Sequence, residues 1–437
     1  MLVALAFTLS VTVTDYANLK RAVQGSAMAE VTLAADIIFP SGGFSGGEST
    51  LALPTKRSLT IHGAGFSLIG ASSDATPVAW MHADTLFSVA EGGSLRLEDL
   101  TIVRGNLTNL GLMSLGGLHL VNESCISNKG QLLVEASTFD RTGGSFNSSL
   151  INGPTGNATI QGSTWTANEN TVAALTGGIC SPVLNNGGVL TVTDSLFVSN
   201  RCVGSLGLGI GGALGNQRGG QMHVRNCIFD SNLGGAGGAL ANSGGRVAVR
   251  NCTFINNEAL VGGGLLSGTF EPDHGRVAET NVTDSVFTGN TGAPVDSGCT
   301  GEGGAVAVAT NGVLSLDNVQ LFENQANLGG AVVARGGTLK MMRCSIHTNM
   351  AQPCFALNGF GGGLALFENA TAAIDATSLD DNGAFGLDAS DDVWNDGAGV
   401  LQCAVKCPAG TSGSCAASKC FDHGANATCA CPSCVCS

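Results

Sequence analysis

Little in this sequence suits a helical protein or one that binds nucleic acid. Only 12% of its 437 residues are charged, and 19 Lys and Arg face 33 Asp and Glu. A net charge of -14 repels phosphate backbones and anionic lipid, so neither nucleic acid nor an acidic membrane surface is expected as a partner. One Tyr and three Trp are few for a sugar-stacking platform. No run of about 18 apolar residues occurs, so no transmembrane helix is expected. Amphipathic helical spacing is found once, in Val11–Gln24 (VTVTDYANLKRAVQ), with Thr14 or Asp15 as N-cap, apolar Leu19, Ala22 and Val23, and Gly25 as the stop.

Glycine and cysteine are abundant instead. Gly numbers 65, about twice its usual share, which favours tight turns and disfavours helix. Sixteen Cys point to an oxidising compartment, so an extracellular or cell-surface location is expected. Asn-X-Ser/Thr sequons stand at Asn106, Asn122, Asn147, Asn157, Asn251, Asn281, Asn369 and Asn426, a number that Asn-, Ser- and Thr-rich composition alone would give. Met1–Ser10 (MLVALAFTLS) is apolar but lacks a basic n-region; a clipped signal peptide and a first strand both fit it.

The organising feature is a repeat. Met222-His-Val-Arg-Asn-Cys-Ile-Phe-Asp-Ser-Asn232 recurs as Val247-Ala-Val-Arg-Asn-Cys-Thr-Phe-Ile-Asn-Asn257. Eight copies carry the final Asn: Asn168, Asn200, Asn232, Asn257, Asn290, Asn324, Asn349 and Asn382. Three residues before each stands a large apolar residue (Trp165, Phe197, Phe229, Phe254, Phe287, Leu321, Ile346, Leu379). Eight before stands another, from Ile160 to Ile374, and the position ten before is mostly apolar too. Copies with a substituted anchor end at Thr142 and Gly105, and weaker traces lie at Val31/Leu33 and Leu59/Ile61.

Positions -10 and -8 alternate, as do -5 and -3, but the phase slips by one between the pairs, which predicts a corner between two strands. At position -6 stand Asp194, Asn226, Asn251, Asp284 and Asn318, residues that tolerate left-handed backbone. A second corner is expected at the anchor Asn, and a third strand after Gly-Gly, as in Gly237-Gly-Ala-Leu240. Two or three short strands per turn, stacked in register, make a parallel β-helix of about a dozen coils, roughly 50 Å long. The stacked Asn side chains are expected to form a structural hydrogen-bonded ladder, and α-helical Val11–Gln24 to cap the first coil. The predicted organisation is an N-terminal segment and capping helix (1–28), a β-helix domain (29–400) and a Cys-rich segment (401–437).

Three insertions, Arg201–Ile210, Thr291–Glu302 and Met350–Phe360, enlarge the same corner, and loops on one side of a solenoid are where contacts are usually placed. They carry Cys202, Cys299 and Cys354; Cys180–Cys202 and Cys299–Cys354 are candidate disulfides. Ser267–Val277 is a further loop, holding Glu271, Asp273 and His274. Cys227, Cys252 and Cys344 face inward, as small apolar residues or, for the first two, as a cross-coil pair. Cys403, Cys407, Cys415, Cys420, Cys429, Cys431, Cys434 and Cys436 crowd the C-terminal segment, where disulfides are expected in place of a core. A thiolate metal cluster of Cys429, Cys431, Cys434 and Cys436 with His423 is the alternative. The chain ends inside this Cys run, as a shortened chain would.

The alternation of Gly-Gly-Ala-(Leu/Val), at Gly211, Gly237, Gly303 and Gly329, with Phe-X-X-Asn, at Phe197, Phe229, Phe254 and Phe287, resembles the repeats of polymorphic outer-membrane proteins over residues 90 to 400. That resemblance implies the right-handed single-stranded parallel β-helix of the pectin-lyase-like group, whose helical cap Val13–Val23 also resembles. Two features depart from it. No outer-membrane barrel follows, and Cys407-Pro-Ala-Gly-Thr411 looks like the Cys-rich modules of eukaryotic cell-surface proteins.

The pectin-lyase-like group includes polysaccharide-degrading enzymes, whose chemistry needs converging carboxylates or a Ca²⁺ cluster with a basic residue. The family signals Asn-Thr-Asp, Asp-Asp, Gly-His-Gly and Arg-Ile-Lys do not stand here as a set. Asp391-Asp392 is an isolated pair, His274 lacks a partner motif, and stacked Arg225 and Arg250 with Asp317 read as a solvated corner. The expectation is a non-catalytic, monomeric adhesion or ligand-binding protein, without metal or cofactor, whose partner is a protein or a polysaccharide. A polysaccharide-active enzyme with an atypical site is the alternative.

Overall fold

The computed structural model describes residues 10–25, 30–40, 50–70, 85–122, 124–142, 148–172, 181–204, 210–269, 276–292, 301–353, 359–384, 392–395, 399–404, 413–415, 420–422 and 434–436. The chain divides into two units, residues 1–170 with 188–195, and residues 171–187 with 196–437. Each is a parallel β-helix of short strands stacked coil upon coil.

In the first unit a coil has three sides. Ser94–Glu98 belongs to sheet 1, Thr101–Val103 to sheet 2 and Asn106–Asn109 to sheet 3. Asp99 and Arg104 turn the two corners with φ of 51° and 52°. Ser94 pairs with Leu112, and Leu112 with Gln131, so a turn takes 18 or 19 residues. The coil of Leu112–Gly116 and His119–Val121 escaped the repeat pattern because, although Leu120 stands where Phe139 does in the next coil, it lacks the Asn anchor and is much shorter than the 25-residue repeat. Strand Ser10–Val13 pairs in parallel with Glu30–Leu33, so sheet 1 begins before the helix. Helix α1 (Tyr16–Gln24) follows, with Asp15 Oδ1 accepting from Asn18 N at 2.8 Å and Leu19, Ala22 and Val23 buried. Gly25 ends it in extended rather than left-handed backbone, its N–H donating to Arg21 O.

In the second unit the coil has four sides, one more than the repeat pattern predicts. Gly220–Arg225 lies in sheet 1, Ile228–Asp230 in sheet 2, Leu233–Gly234 in an added sheet 4, and Leu240–Asn242 in sheet 3. The next coil starts at Gly245, which pairs with Gly220. Asp194, Asn226, Asn251, Asp284 and Asn318 all have φ between 51° and 55°, so the first corner is left-handed wherever the phase slip placed it. At the second corner the left-handed residue is the one before the anchor: Ser199, Ser231, Asn256, Gly289, Glu323, Thr348 and Asp381. The anchor Asn itself turns inward.

Those Asn side chains form a continuous column in the second unit. Asn200, Asn232, Asn257, Asn290, Asn324 and Asn349 each donate Nδ2–H to the next Oδ1, at 2.9 Å throughout, ending on Asn382. The same Oδ1 atoms accept the backbone N–H of the preceding Asn, so each amide satisfies a corner the strands leave open. In the first unit, Asn168 Oδ1 accepts from Thr142 N at 2.8 Å, so a threonine fills the anchor place there. Beside the column stand stacked rings: Phe197, Phe229, Phe254 and Phe287, with centroids 5.0, 4.8 and 4.3 Å apart, all fully buried. Burying each Phe contributes about 1.5–3 kcal/mol.

Two further columns went unread in the sequence. At the end of sheet 3, Asn109 donates to Asn128 and Asn128 to Asn152 in the first unit, and Asn185 to Asn216 and Asn216 to Asn242 in the second. At position -5, Ser137 N donates to Ser163 Oγ and Ser163 N to Ser195 Oγ. Cys227, Cys252 and Cys344 occupy that same place. Cys227 N donates to Cys252 Sγ at 3.5 Å, and the two thiols donate to Arg225 O and Arg250 O. These cysteines are thiols, and Cys227 and Cys252 meet through hydrogen bonds, not a cross-coil disulfide. They are buried, as the small-apolar reading expects, and also take the serine place in the ladder.

Candidate functional site

The added side of the second unit's coil creates the feature most open to function. After the six sheet 4 strands from Arg201–Gly204 to Met350–Ala351, a bridging residue stands just before a Gly-Gly pair. Ile210, Ala236, Val261, Glu302, Leu328 and Phe360 pair in succession as this bridging column. The first glycine of each pair takes positive φ (67° at Gly237), and the second admits no side chain: a Cβ on Gly238 would lie 2.0 Å from Gly263 O.

This detour lays chain over the outer face of sheet 3. In the first unit sheet 3 strands such as Cys125–Asn128 alternate half-buried and buried residues. In the second, Leu240–Asn242, Leu265–Ser267 and Val306–Val308 are buried at every position. Outward-facing Ala241, Leu266, Ala307, Val333, Ala365 and Trp394 make a second apolar cluster, outside the coil's own core. Residues of the bridging column (Ile210, Ala236, Phe360) pack against it.

One end of the cluster is aromatic and charged. Trp394 lies 4.9 Å from the Phe360 ring and 4.6 Å from Phe367. Arg335 stands 5.0 Å over Phe367 and grips Glu302 with two bonds, Nη2 to Oε1 at 2.5 Å and Nε to Oε2 at 3.0 Å. Its Nη1 donates to Glu368 Oε1 at 2.6 Å. Glu302 is itself a bridging residue, so the arginine fixes the end of one insertion against the next coils.

All three insertions open between sheet 4 and the bridging column. Residues 205–209, 293–300 and 354–358 lie outside the described residues, as do Cys180, Cys299 and Cys354. Cys202 is disulfide-bonded and buried at the start of the first insertion. Cys407, Cys429, Cys431 and His423 also lie outside the described residues, while Cys403, Cys415, Cys420, Cys434 and Cys436 fall in short strands. Among the described residues, no cluster of three metal-ligating side chains occurs, and no helix is long and apolar enough to cross a membrane.

The remaining expected positions scatter. Asn106, Asn157 and Asn281 lie in strands, and Asn122, Asn251 and Asn369 turn left-handed corners with φ of 51°, 51° and 60°; Asn147 and Asn426 lie outside the described residues. Asn157 lines a shallow depression of about 350 Å³ on sheet 1 of the first unit, beside Leu112, Ser114, Gln131 and Leu133. Glu271, Asp273, His274 and Asp391 lie outside the described residues. Asp392 accepts from Asn382, Asp317 pairs with Arg343 at 2.5 Å, and Arg250 with Asp284 at 3.3 Å. Arg225 and Arg250 thus stand in register on neighbouring coils, while Asp317, two coils on, is held by Arg343.

Residues 10–146 match the model of a pectate lyase-like adhesive domain, upstream of all four Gly-Gly-Ala repeats. No curated protein matches the chain in sequence. Among solved structures it is similar to the Streptococcus pneumoniae surface protein and adhesin PfbA, at 12% identity and TM-score 0.34, covering 91% of this chain and 100% of that one. It is also similar to the SRRP protein of L. reuters 100-23 (11% identity, TM-score 0.25, 91% and 99% covered). A third similarity is to the PL6 family alginate lyase AlyGC (10% identity, TM-score 0.22, 90% and 80% covered). The chain is thus similar over residues 10–146 to a pectate lyase-like adhesive domain, and its strand pairing is that of a parallel β-helix.

Proposed function

We propose that this protein is a non-catalytic, extracellular or cell-surface adhesin that binds a protein or polysaccharide through the insertion-bearing edge of its second unit. The observation that carries the reading is positional. Three insertions of unrelated sequence all open between sheet 4 and the bridging column, while the coil core beneath them keeps its ladders intact. Loops varied over a constant scaffold are how solenoids build contact surfaces. The adhesive-domain match over residues 10–146 supports the same class. Within this reading the solenoid is right-handed and has about a dozen coils, and α1 caps its first coil. Residues 401–437 form a disulfide-linked module, and exposed sequons such as Asn122 and Asn369 carry glycans.

The test replaces residues 205–209, 293–300 and 354–358 with short Gly-Ser links, separately and together, and measures adhesion to host-cell and extracellular-matrix surfaces. Adhesion should fall while the circular dichroism spectrum stays that of the β-helix. Undiminished adhesion by the triple variant would remove the edge from consideration. Release of new reducing ends or unsaturated products from acidic polysaccharides would instead establish the enzyme alternative.

A further inference from the structure

Basic residues are scarce in this chain of net charge -14, yet they gather at one place. Arg218, Arg225, Arg246, Arg250 and Arg276 lie on or beside two successive coils of the second unit, and all are exposed, as is His223. Gly220–Arg225 pairs residue for residue with Gly245–Arg250. Alternate side chains face outward: Gln221, His223 and Arg225 on one strand, Arg246, Ala248 and Arg250 on the next. Arg225 therefore stands against Arg250, and Arg246 is about 13 Å along the strand from Arg250.

Arg276 joins the Arg246 side. Its Nη1 donates to Arg218 O at 2.5 Å and lies 2.8 Å from the place of a Cβ on Gly219, so it crosses a turn that only glycine leaves bare. The result is two lines of guanidinium groups, with His223 and short Ala248 between them.

The carboxylates nearby leave this charge largely uncompensated. Glu279 Oε2 meets Arg246 at Nε, 3.2 Å away, and Asp284 Oδ2 meets Arg250 at Nε, 3.3 Å away. Neither contact occupies the terminal nitrogens of the fork. Arg225 has no carboxylate partner among the described residues. Like charges directly opposed across two strands destabilise a sheet, and folding alone gives no reason to keep Arg225 against Arg250.

We propose that this face binds a linear anionic polysaccharide, whose carboxylate or sulfate groups engage the two arginine lines. A planar guanidinium fork matches either oxyanion with paired N–H bonds. A flat sheet offers no helix or ribbon to enter a duplex groove, and His223 is the only ring among these outward residues on which a base could stack, which favours a glycan over nucleic acid. The face lies on sheet 1, separate from the insertion-bearing edge, so it stands or falls independently of that edge.

The experiment uses the full chain made without N-glycans, because Asn281 adjoins the patch. Binding to chondroitin sulfate, polygalacturonate, neutral dextran and a single-stranded oligonucleotide is measured by biolayer interferometry at low and high salt. Expected is binding to at least one anionic glycan, weakened by salt, with none to dextran. The double variant Arg225→Gln/Arg250→Gln should lose about tenfold in affinity or more, and Arg276→Gln should lose less. Lys340→Gln, exposed on the same sheet, should bind as wild type, and an unchanged circular dichroism spectrum shows that each variant is folded. Binding to only one anionic glycan identifies the oxyanion and upholds the proposal. Wild-type affinity in the double variant, equal binding of dextran, tighter binding of the oligonucleotide, or no binding to either anionic glycan would overturn it.

Discussion

Asn382 donates its side-chain N–H to the Asp392 carboxylate at 3.0 Å, at the far end of the second unit's column of Asn200 to Asn382. Without Asp392 the last amide would lose an acceptor in a mostly buried site. Asp392→Ala is expected to cost about 1–3 kcal/mol. Asp392→Asn, which keeps an acceptor oxygen, should cost far less. Urea denaturation of the two variants measures the difference, and equal midpoints would mean the column needs no terminal acceptor.

Inside the column the loss should be larger. Asn257 accepts from Asn232 N and Nδ2 and donates to Asn290 Oδ1 and Phe229 O. Asn257→Leu strands groups on both neighbouring coils, for a loss of at least about 3 kcal/mol. Asn251 is exposed at a left-handed corner, where its Nδ2 donates to Asn226 Oδ1 at 3.0 Å, so Asn251→Leu should cost the backbone strain and one exposed hydrogen bond, about 1–2 kcal/mol. Comparing the two denaturation midpoints separates ladder from corner.

The Gly-Gly pairs predict a steric effect. Gly238→Ala places a methyl 2.0 Å from Gly263 O and must push two coils apart, destabilising the second unit by several kcal/mol, on the order of 3. At Gly383, where nothing lies within 4 Å of a new Cβ, Ala should be neutral or stabilising by about 0.4–1 kcal/mol. Thermal unfolding of both variants gives the ranking.

A thiol supplies a pH signature. Cys125 is half-buried, but its enclosed Sγ lies 3.0 Å from Ser148 O, and burial pushes the thiol from 9.0 up to about 12. The folded state therefore holds a proton that the unfolded state releases above its own lower pKa. Stability from this group is complete below about pH 9 and is lost as pH rises towards about 12. Cys125→Ser removes the titration and keeps a donor, so its stability should decline less steeply than wild type over that range.

The Arg335 cluster offers a coupling measurement. Glu302 and Phe367 both touch the guanidinium, and its side chain is only a quarter exposed. A double-mutant cycle between Arg335→Leu and Glu302→Gln should return a coupling of about 1–3 kcal/mol. Arg335→Lys should behave as a loss, because an ammonium cannot make the paired contact with Glu302.

Much of the coil was legible because its rules are local. The phase slip located the left-handed corner at Asn226 and Asn251, and the Asn spacing located the side chains that meet from coil to coil. The fourth side was not legible, since a two-residue strand such as Leu233–Gly234 carries no periodicity. Nor was the covering of sheet 3. Ala241 and Leu266 look like ordinary strand residues, and only the path of the chain through the bridging column buries them. The Asn109–Asn128–Asn152 column could have been found, since each Asn stands two residues after an apolar one (Leu107, Ile126, Leu150), but its 19- and 24-residue spacing differs from the repeat that drew attention. The arginine face was half seen, as Arg225 and Arg250; Arg276 joins it through a contact 58 residues away in sequence.

The Asn column has a direction. Every amide from Asn200 to Asn349 donates towards the next coil, and Asn185, Asn216 and Asn242 donate the same way. Side-chain dipoles aligned head to tail add, as peptide dipoles do along an α-helix, and reinforce one another through polarisation. The second unit therefore carries a built-in axial field whose positive end faces its last coils. Asp392 puts a negative charge at that end, as an acidic residue does at the start of a helix.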